Sequence, residues 1–354
     1  MVKERPSRPR PLTLRFLPGL ARAHLTKELF IMDIVTSSIA QGLLWSVMAI
    51  GVYLTFRILD IADMTAEGSF PLGAAITAHA IVTGVGPIAA TLMGFAGGAA
   101  AGAVSGFLTT KLHIPDLLTG ILTMTGLYSV NLFIMGKANI SLIGTVKTVF
   151  NLVDSGDATT TGIIIGAIVV AIVIGILVFF FHTEMGLAAA AVGNNQNMAA
   201  ANGINNDAMK IIIYMLSNGL IALSGSLMAQ TNGYADLSMG IGTIVIALAA
   251  IIISEILLRG VPLWARLLMI IVGAVIYRLI IAVVLDLGVD PNYLRFFYAL
   301  MLTIFLSLPL LKKKLQLMTI RHGNRRQARI VQAQMQAAKT DSMSTHAGDQ
   351  QKEV

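Results

Sequence analysis

Cysteine is absent from the 354 residues, so the chain has neither a disulfide framework nor a thiolate metal site. Charge is scarce: Asp, Glu, Lys and Arg make up 12% of the residues, about half the share usual in soluble domains. A phosphate-cradling loop, Gly, four residues, then Gly-Lys-Ser/Thr, is missing as well. Its nearest approach, Gly136-Lys137, is followed by Ala138 and preceded five positions back by Asn131, so the chain holds no nucleotide of its own. No His-Glu-x-x-His run or Ser/His pairing marks an intramembrane enzyme, and no cofactor or metal is implied. The first 31 residues lack the continuous apolar core of a cleavable signal peptide.

What the chain has in excess is apolar length. It is 56% hydrophobic, and a helix needs about 20 apolar residues to cross a bilayer core. Runs of that length lie at 34–58, 87–110, 114–136, 161–182, 209–231, 262–285 and 292–311, with two weaker ones at 68–83 and 241–258. The expected fold is all-α: a polytopic membrane bundle of about eight to ten segments, broken or re-entrant helices included. Residues 1–31 form a basic extension, 32–315 the membrane domain and 316–354 a basic to polar tail. The net charge of +7 belongs to the two ends, with Lys3, Arg5, Arg8, Arg10, Arg15, Arg22 and Lys27 in the head and Lys312, Lys313, Lys314, Arg325 and Arg326 in the tail. No aromatic residues interleave the tail's charges, so the basic ends read as topological signals that place both in the cytoplasm, not as a nucleic-acid surface. The membrane pattern begins at Met32, in "MDIVTSSIAQGLLW". Deleting residues 1–31 is therefore expected to leave membrane insertion and activity intact, and a truncated chain that fails to insert would make the head a topological determinant.

Two stretches echo each other. "ADMTAEGSFPLGAA" at 62–75 and "ADLSMGIGTIVIALAA" at 235–250 both open with Ala-Asp, an aliphatic residue and a hydroxyl residue, then reach glycine. Paired short or Gly/Pro-interrupted segments at matching places point to an internal two-fold repeat, with halves at 34–136 and 209–311, and to a transport site built from broken helices. Asp63, Thr65, Glu67 and Ser69 are candidate pathway residues, with Asp236 and Ser238 as second-half equivalents; the competing reading is a solvated loop with capping roles for Thr65 and Ser69. A re-entrant 68–83 would reconcile a cytoplasmic 181–205 with a cytoplasmic head. Arg278, deep in "GAVIYRLIIAVV", is expected to pair with Glu255 on a neighbouring span as a structural ion pair, and His79 and Tyr214 read as structural too. Gly94, Gly98, Gly102 and Gly106 share one helix face and mark a close contact, either within the subunit or across a dimer.

The stretches at 41–78 and 183–204 resemble permease subunits of ATP-binding cassette importers of the branched-chain amino acid and ribose type, and among them the tryptophan and tyrosine uptake group. Asp63, Thr65, Glu67, Gly68, Ser69, Phe70, Pro71 and Gly73 follow that group's pattern in order, and the likeness covers about residues 33–315. It implies a subunit of the inner or plasma membrane that moves a small solute, an amino acid and in that group an aromatic one, without being an enzyme itself. The implied partners are a separate ATPase, an extracytoplasmic solute-binding protein and a second permease subunit, as a homodimer, within the lipid bilayer. The resemblance makes 183–208 the cytoplasmic coupling loop, with Gly186, Leu187, Ala188, Gly193, Asn194, Asn195, Ala199, Gly203 and Ile204 matching its pattern. Ala189, Ala190 and Ala191 stand where that family carries arginine. Asn194 or Asn195 suits a helix start and Gly203 a left-handed helix end. The alternative function is an ion-coupled secondary transporter, which calls for a deep carboxylate cluster; only Glu255 and the Asp63 region offer one.

Overall fold

The computed structural model describes residues 19–144, 147–152, 157–258, 260–290 and 293–307, with side chains from Met32 onward. The chain forms two compact units, 1–302 and 303–354, and the description below concerns the first. Helix α1 (Gly19–Tyr53) runs into a π-helical turn, Leu54–Ile58. It is followed by α2 (Ala66–Val82), α3 (Pro87–Lys111), α4 (Asp116–Met135), α5 (Ala158–Phe181), the short α6 (Glu184–Asn194) and α7 (Gln196–Ala201), α8 (Asn206–Asn232), α9 (Thr243–Leu257) and α10 (Leu263–Asp286). A shorter apolar helix, α11, covers Leu294–Ser307. Strands β1 (Asn139–Ser141) and β2 (Tyr234–Asp236) form a small antiparallel ribbon with Ile140 opposite Ala235.

Among the described residues, seven helical segments are long and apolar enough to span a bilayer: Met32–Ile58, Pro87–Lys111, Asp116–Met135, Ala158–Phe181, Asn206–Asn232, Leu237–Leu257 and Leu263–Asp286. The polytopic helical class therefore stands. Two run strengths are exchanged. The weak run at 241–258 gains length from a 3-10 turn, Leu237–Gly240, whereas the run expected to span 292–311 yields only Leu294–Ser307, its last residues lying outside the described ones.

Close packing explains the glycine stripe on α3. A Cβ on Gly94 would sit 2.2 Å from Ser226 Oγ, one on Gly98 2.4 Å from the Asn218 carbonyl, and one on Gly102 2.2 Å from the Tyr214 carbonyl. The stripe is thus a contact within the subunit, with α3 and α8 antiparallel and nearly backbone to backbone. Gly102→Leu must push against a main-chain carbonyl, which cannot rotate away, so it is expected to cost about 2 kcal/mol or more. Thermal unfolding in detergent checks this: a midpoint equal to wild type would refute the contact.

Helix α2 is one continuous helix, not a loop that turns back. Pro71 sits inside it and has no N–H to offer the Glu67 carbonyl. Gly240, on the 3-10 turn, covers that carbonyl so closely that a Cβ would lie 2.0 Å away. The 17 residues of α2 do not turn back on themselves, and the packing of α1 decides how the first span sits relative to the 183–205 segment. The Ile58 carbonyl, at the end of α1, packs on Gly193 in the segment joining α5 to α8. Met32–Ile58 has 27 residues, a rise of about 40 Å. Met32 and the 183–205 segment therefore lie at opposite ends of the first span, which is not what a cytoplasmic Met32 beside a cytoplasmic 183–205 requires.

Candidate functional site: a buried polar network and an exposed docking segment

Residues 59–65 leave the π turn and carry the first echo into the bundle. The Asp63 carboxylate accepts the Thr65 N–H on one oxygen (2.9 Å) and Asn218 Nδ2 on the other (2.8 Å). Ser69 Oγ donates to Asn218 Oδ1 at 2.7 Å, and the Thr65 and Ser105 hydroxyls are 2.8 Å apart. Asp63 is 8% exposed, while Thr65, Ser69, Ser105 and Asn218 are fully closed off. Glu67 is half-buried and accepts the Gly242 N–H at 3.0 Å, tying α2 to the loop before α9.

The second echo repeats the turn without the burial. Asp236 accepts the Ser238 N–H at 2.7 Å, as Asp63 accepts that of Thr65, so Ala-Asp-x-hydroxyl folds into the same Asx turn in both places. Yet Asp236 is half-buried and Ser238 exposed, on the ribbon side where Asn139 Nδ2 reaches Asp236 at 3.2 Å. Partial burial pushes the Asp236 carboxyl up, but the bonds from Ser238 and Asn139 outweigh it and hold the group below the ordinary aspartate range. The two aspartates therefore match in local geometry and differ in environment.

The expected Glu255–Arg278 pair does not form. Glu255 is held by Arg57 of the π turn, through Nε at 2.6 Å and a second, short contact from Nη2. Arg57 was not singled out by the sequence because it lies at the edge of a span, where a basic residue is unremarkable. Arg278 instead lies over the Trp45 ring, 5.8 Å from its centroid. Since both partners are more than a third exposed, at 44% and 36%, the Arg57–Glu255 pair is worth about 1 kcal/mol or less in stability. Arg57→Ala is expected to move the unfolding midpoint little, and a large drop would show that the pair is a core element. His79 is exposed at the end of α2, whereas Tyr214 is fully buried against α3 in a packing position.

The segment singled out as the coupling loop folds into two short helices. Thr183 caps α6 by accepting the Gly186 N–H (3.4 Å), and Asn195, not Asn194, caps α7 by accepting that of Met198 (3.0 Å). Gly203, at φ +79°, ends α7. The Ile204 and Gly203 N–H groups bond to the Ala199 and Ala200 carbonyls (3.1 and 3.0 Å), a Schellman closure. Gly186, Ala189, Val192 and Ala199 face inward, whereas Met185 (48%), Leu187 (61%) and Met198 (61%) face out, with Ala190, Asn194 and Asn195 beside them. Ala199 therefore belongs to the chain's own packing and offers no surface. The inner face meets the π turn at Gly193, where a Cβ would fall 1.6 Å from the Ile58 carbonyl.

The sequence matches the family described as branched-chain amino acid transport system, permease component, over residues 34–306. It is 42% identical over 273 residues to a tyrosine transport system permease protein of Clostridioides difficile, covering 77% of this chain and 90% of that one. A more distant relative, a ribose import permease protein of Bacillus subtilis, is 27% identical over 58% of this chain and 64% of its own length. No solved structure matches the chain. Seven membrane-spanning helices and a match running from the first of them into α11 make this chain a multi-pass inner-membrane protein that belongs to the permease components of ATP-binding cassette importers of the branched-chain amino acid and ribose type.

Proposed function

We propose that the chain, paired with a second copy of itself, forms the membrane passage of an importer that takes up an aromatic amino acid, handed over by an extracytoplasmic binding protein and driven by a separate ATPase docked on residues 183–205. The observation that carries the docking assignment is the outward apolar face of α6 and α7, Met185, Leu187 and Met198, on a segment whose inner face is locked to the end of α1 at Gly193. Apolar side chains standing out from a capped, rigid pair of helices fit a partner's groove. The substrate class rests on the likeness to the tyrosine transport permease.

The geometry supplies a route for force. A push on α6 reaches the Ile58 carbonyl without slack, because no side chain intervenes at Gly193. The π turn receives it, and π turns are less tightly bonded than α-helix and sit at functional joints. From there one branch runs through Arg57 to Glu255 on α9, and the other through residues 59–65 to Asp63 and the start of α2. Half-buried Glu67, with Asp236 and Ser238, is assigned to the passage. Asp63, Thr65 and Ser69 hold the start of α2 against α3 and α8.

Co-purification of the ATPase with the full chain in detergent tests the docking. Leu187→Asp and Met198→Asp place charge on the contact and are expected to lose most of the bound ATPase while insertion is unchanged. Ala190→Arg, on the exposed side where the family carries arginine, is expected to strengthen binding through charge-assisted contacts. Full retention of the ATPase by both aspartate variants would remove the segment from the interface.

A further inference from the structure

Near the Met32 end of α1, a cavity of about 400 Å³ opens between α1, α10 and α11. Asp33, Ser37, Ser38 and Gln41 line it from one face of α1, Arg278 from α10 and Tyr298 from α11. The volume falls in the range of small-molecule sites. Arg278 has no ion-pair partner among the described residues, since Glu255, the acid on α9, is engaged by Arg57. A guanidinium at this depth is costly unless an anion completes it, and its planar fork matches a carboxylate. Asp33, at the edge of the same cavity, supplies the opposite charge. The cavity also has a wire to the rest of the molecule. Arg278 lies over Trp45, and Trp45 stacks on Phe70 of α2 with centroids 5.4 Å apart and rings 18° from parallel. Phe70 follows Ser69, which belongs to the Asp63 network.

We propose that this cavity is a binding site for a zwitterionic amino acid, with Arg278 taking the carboxylate and Asp33 the ammonium. It lies at the end of α1 away from the docking segment, where solute arrives from outside. This rests on the amino-acid importer reading and adds to it a site within the membrane subunit. An anionic lipid phosphate would satisfy Arg278 by the same chemistry, so the test separates the two.

The chain has two tryptophans, and Trp264 is exposed, so Trp264→Phe leaves Trp45 as the sole reporter beside Arg278. In nanodiscs of phosphatidylcholine alone, tyrosine is expected to change Trp45 fluorescence saturably. Tyrosinamide, which lacks the carboxylate, and the Arg278→Gln variant are each expected to need about tenfold higher concentration, the cost of one charge-assisted contact. Arg278→Lys, which keeps the charge without the fork, is expected to fall between and serves if the Gln variant fails to insert. Equal affinity for tyrosine and tyrosinamide, or a response that phosphatidylglycerol abolishes in wild type, would overturn the proposal. Uptake by the assembled transporter separates the two readings. If wild type takes up tyrosine and Arg278→Gln does so with the same KM, the site alone falls; if wild type takes up no amino acid, the importer reading falls with it.

Discussion

Gly193→Ala is expected to cut ATP-driven uptake to about a tenth or less. A methyl group there would overlap the Ile58 carbonyl at 1.6 Å, and neither side can yield by rotating a side chain. Relief requires α6 to separate from the π turn, and overpacking of this kind costs about 1–3 kcal/mol, enough for a tenfold shift in a coupled equilibrium. The outward face with Leu187 and Met198 is untouched, so the ATPase is expected to stay bound while hydrolysis ceases to drive transport. Gly203→Ala is the useful contrast. It strains a left-handed position at φ +79° but meets nothing within 4 Å, so its effect should be confined to the end of α7. Normal uptake by Gly193→Ala would show that force does not pass through this contact.

Asp63→Ala should have the largest effect on stability. The substitution leaves the Thr65 N–H and one of the two Asn218 Nδ2 hydrogens without an acceptor in a closed interior, the other still reaching the Tyr214 carbonyl, and loosens the position in which Asn218 receives Ser69. Two stranded donors cost about 2–6 kcal/mol together. Asp63→Asn keeps one acceptor for Thr65 but turns an amide against an amide at Asn218, so it should fall between. The readout is the thermal midpoint in detergent, and an unchanged midpoint for the alanine variant would mean that the network is not formed. Asn218→Ala removes the same bridge from α8 and should not add its full cost to that of Asp63→Ala, because the residues share one network.

Much of this was legible in the sequence, for reasons that can be named. Apolar length located the spans because a bilayer core imposes it, and the exception, 292–311, is a run whose described helix ends at Ser307. Gly94 to Gly106 read correctly as a close-contact stripe, since four-residue spacing fixes a helix face whatever the partner. Asn218, Ser105 and Arg57 were passed over. Asn218 left a signal, an amide inside "YMLSNGLIALSG", whereas Arg57 left none, because its partner is 198 residues away. The Glu255–Arg278 pairing failed because opposite charges in neighbouring spans say nothing about facing or depth. Ala199 looked like surface among asparagines, yet the cap at Asn195 sets the rotation of α7 and turns that alanine inward. Basic residues before Met32 suggested a cytoplasmic start, but the packing of Ile58 on Gly193 puts Met32 at the end of the first span opposite the docking segment.

The central claim is that ATP hydrolysis in a partner drives solute through this subunit. Proteoliposomes holding the chain, its ATPase and the binding protein, with labelled tyrosine outside, test it most directly. Uptake is expected to require enclosed ATP, to stop with a non-hydrolysable analogue and to persist when ionophores collapse proton and sodium gradients. Uptake that runs on an imposed ion gradient without ATP, and ceases with the ionophore, would contradict the account and make the chain a secondary transporter.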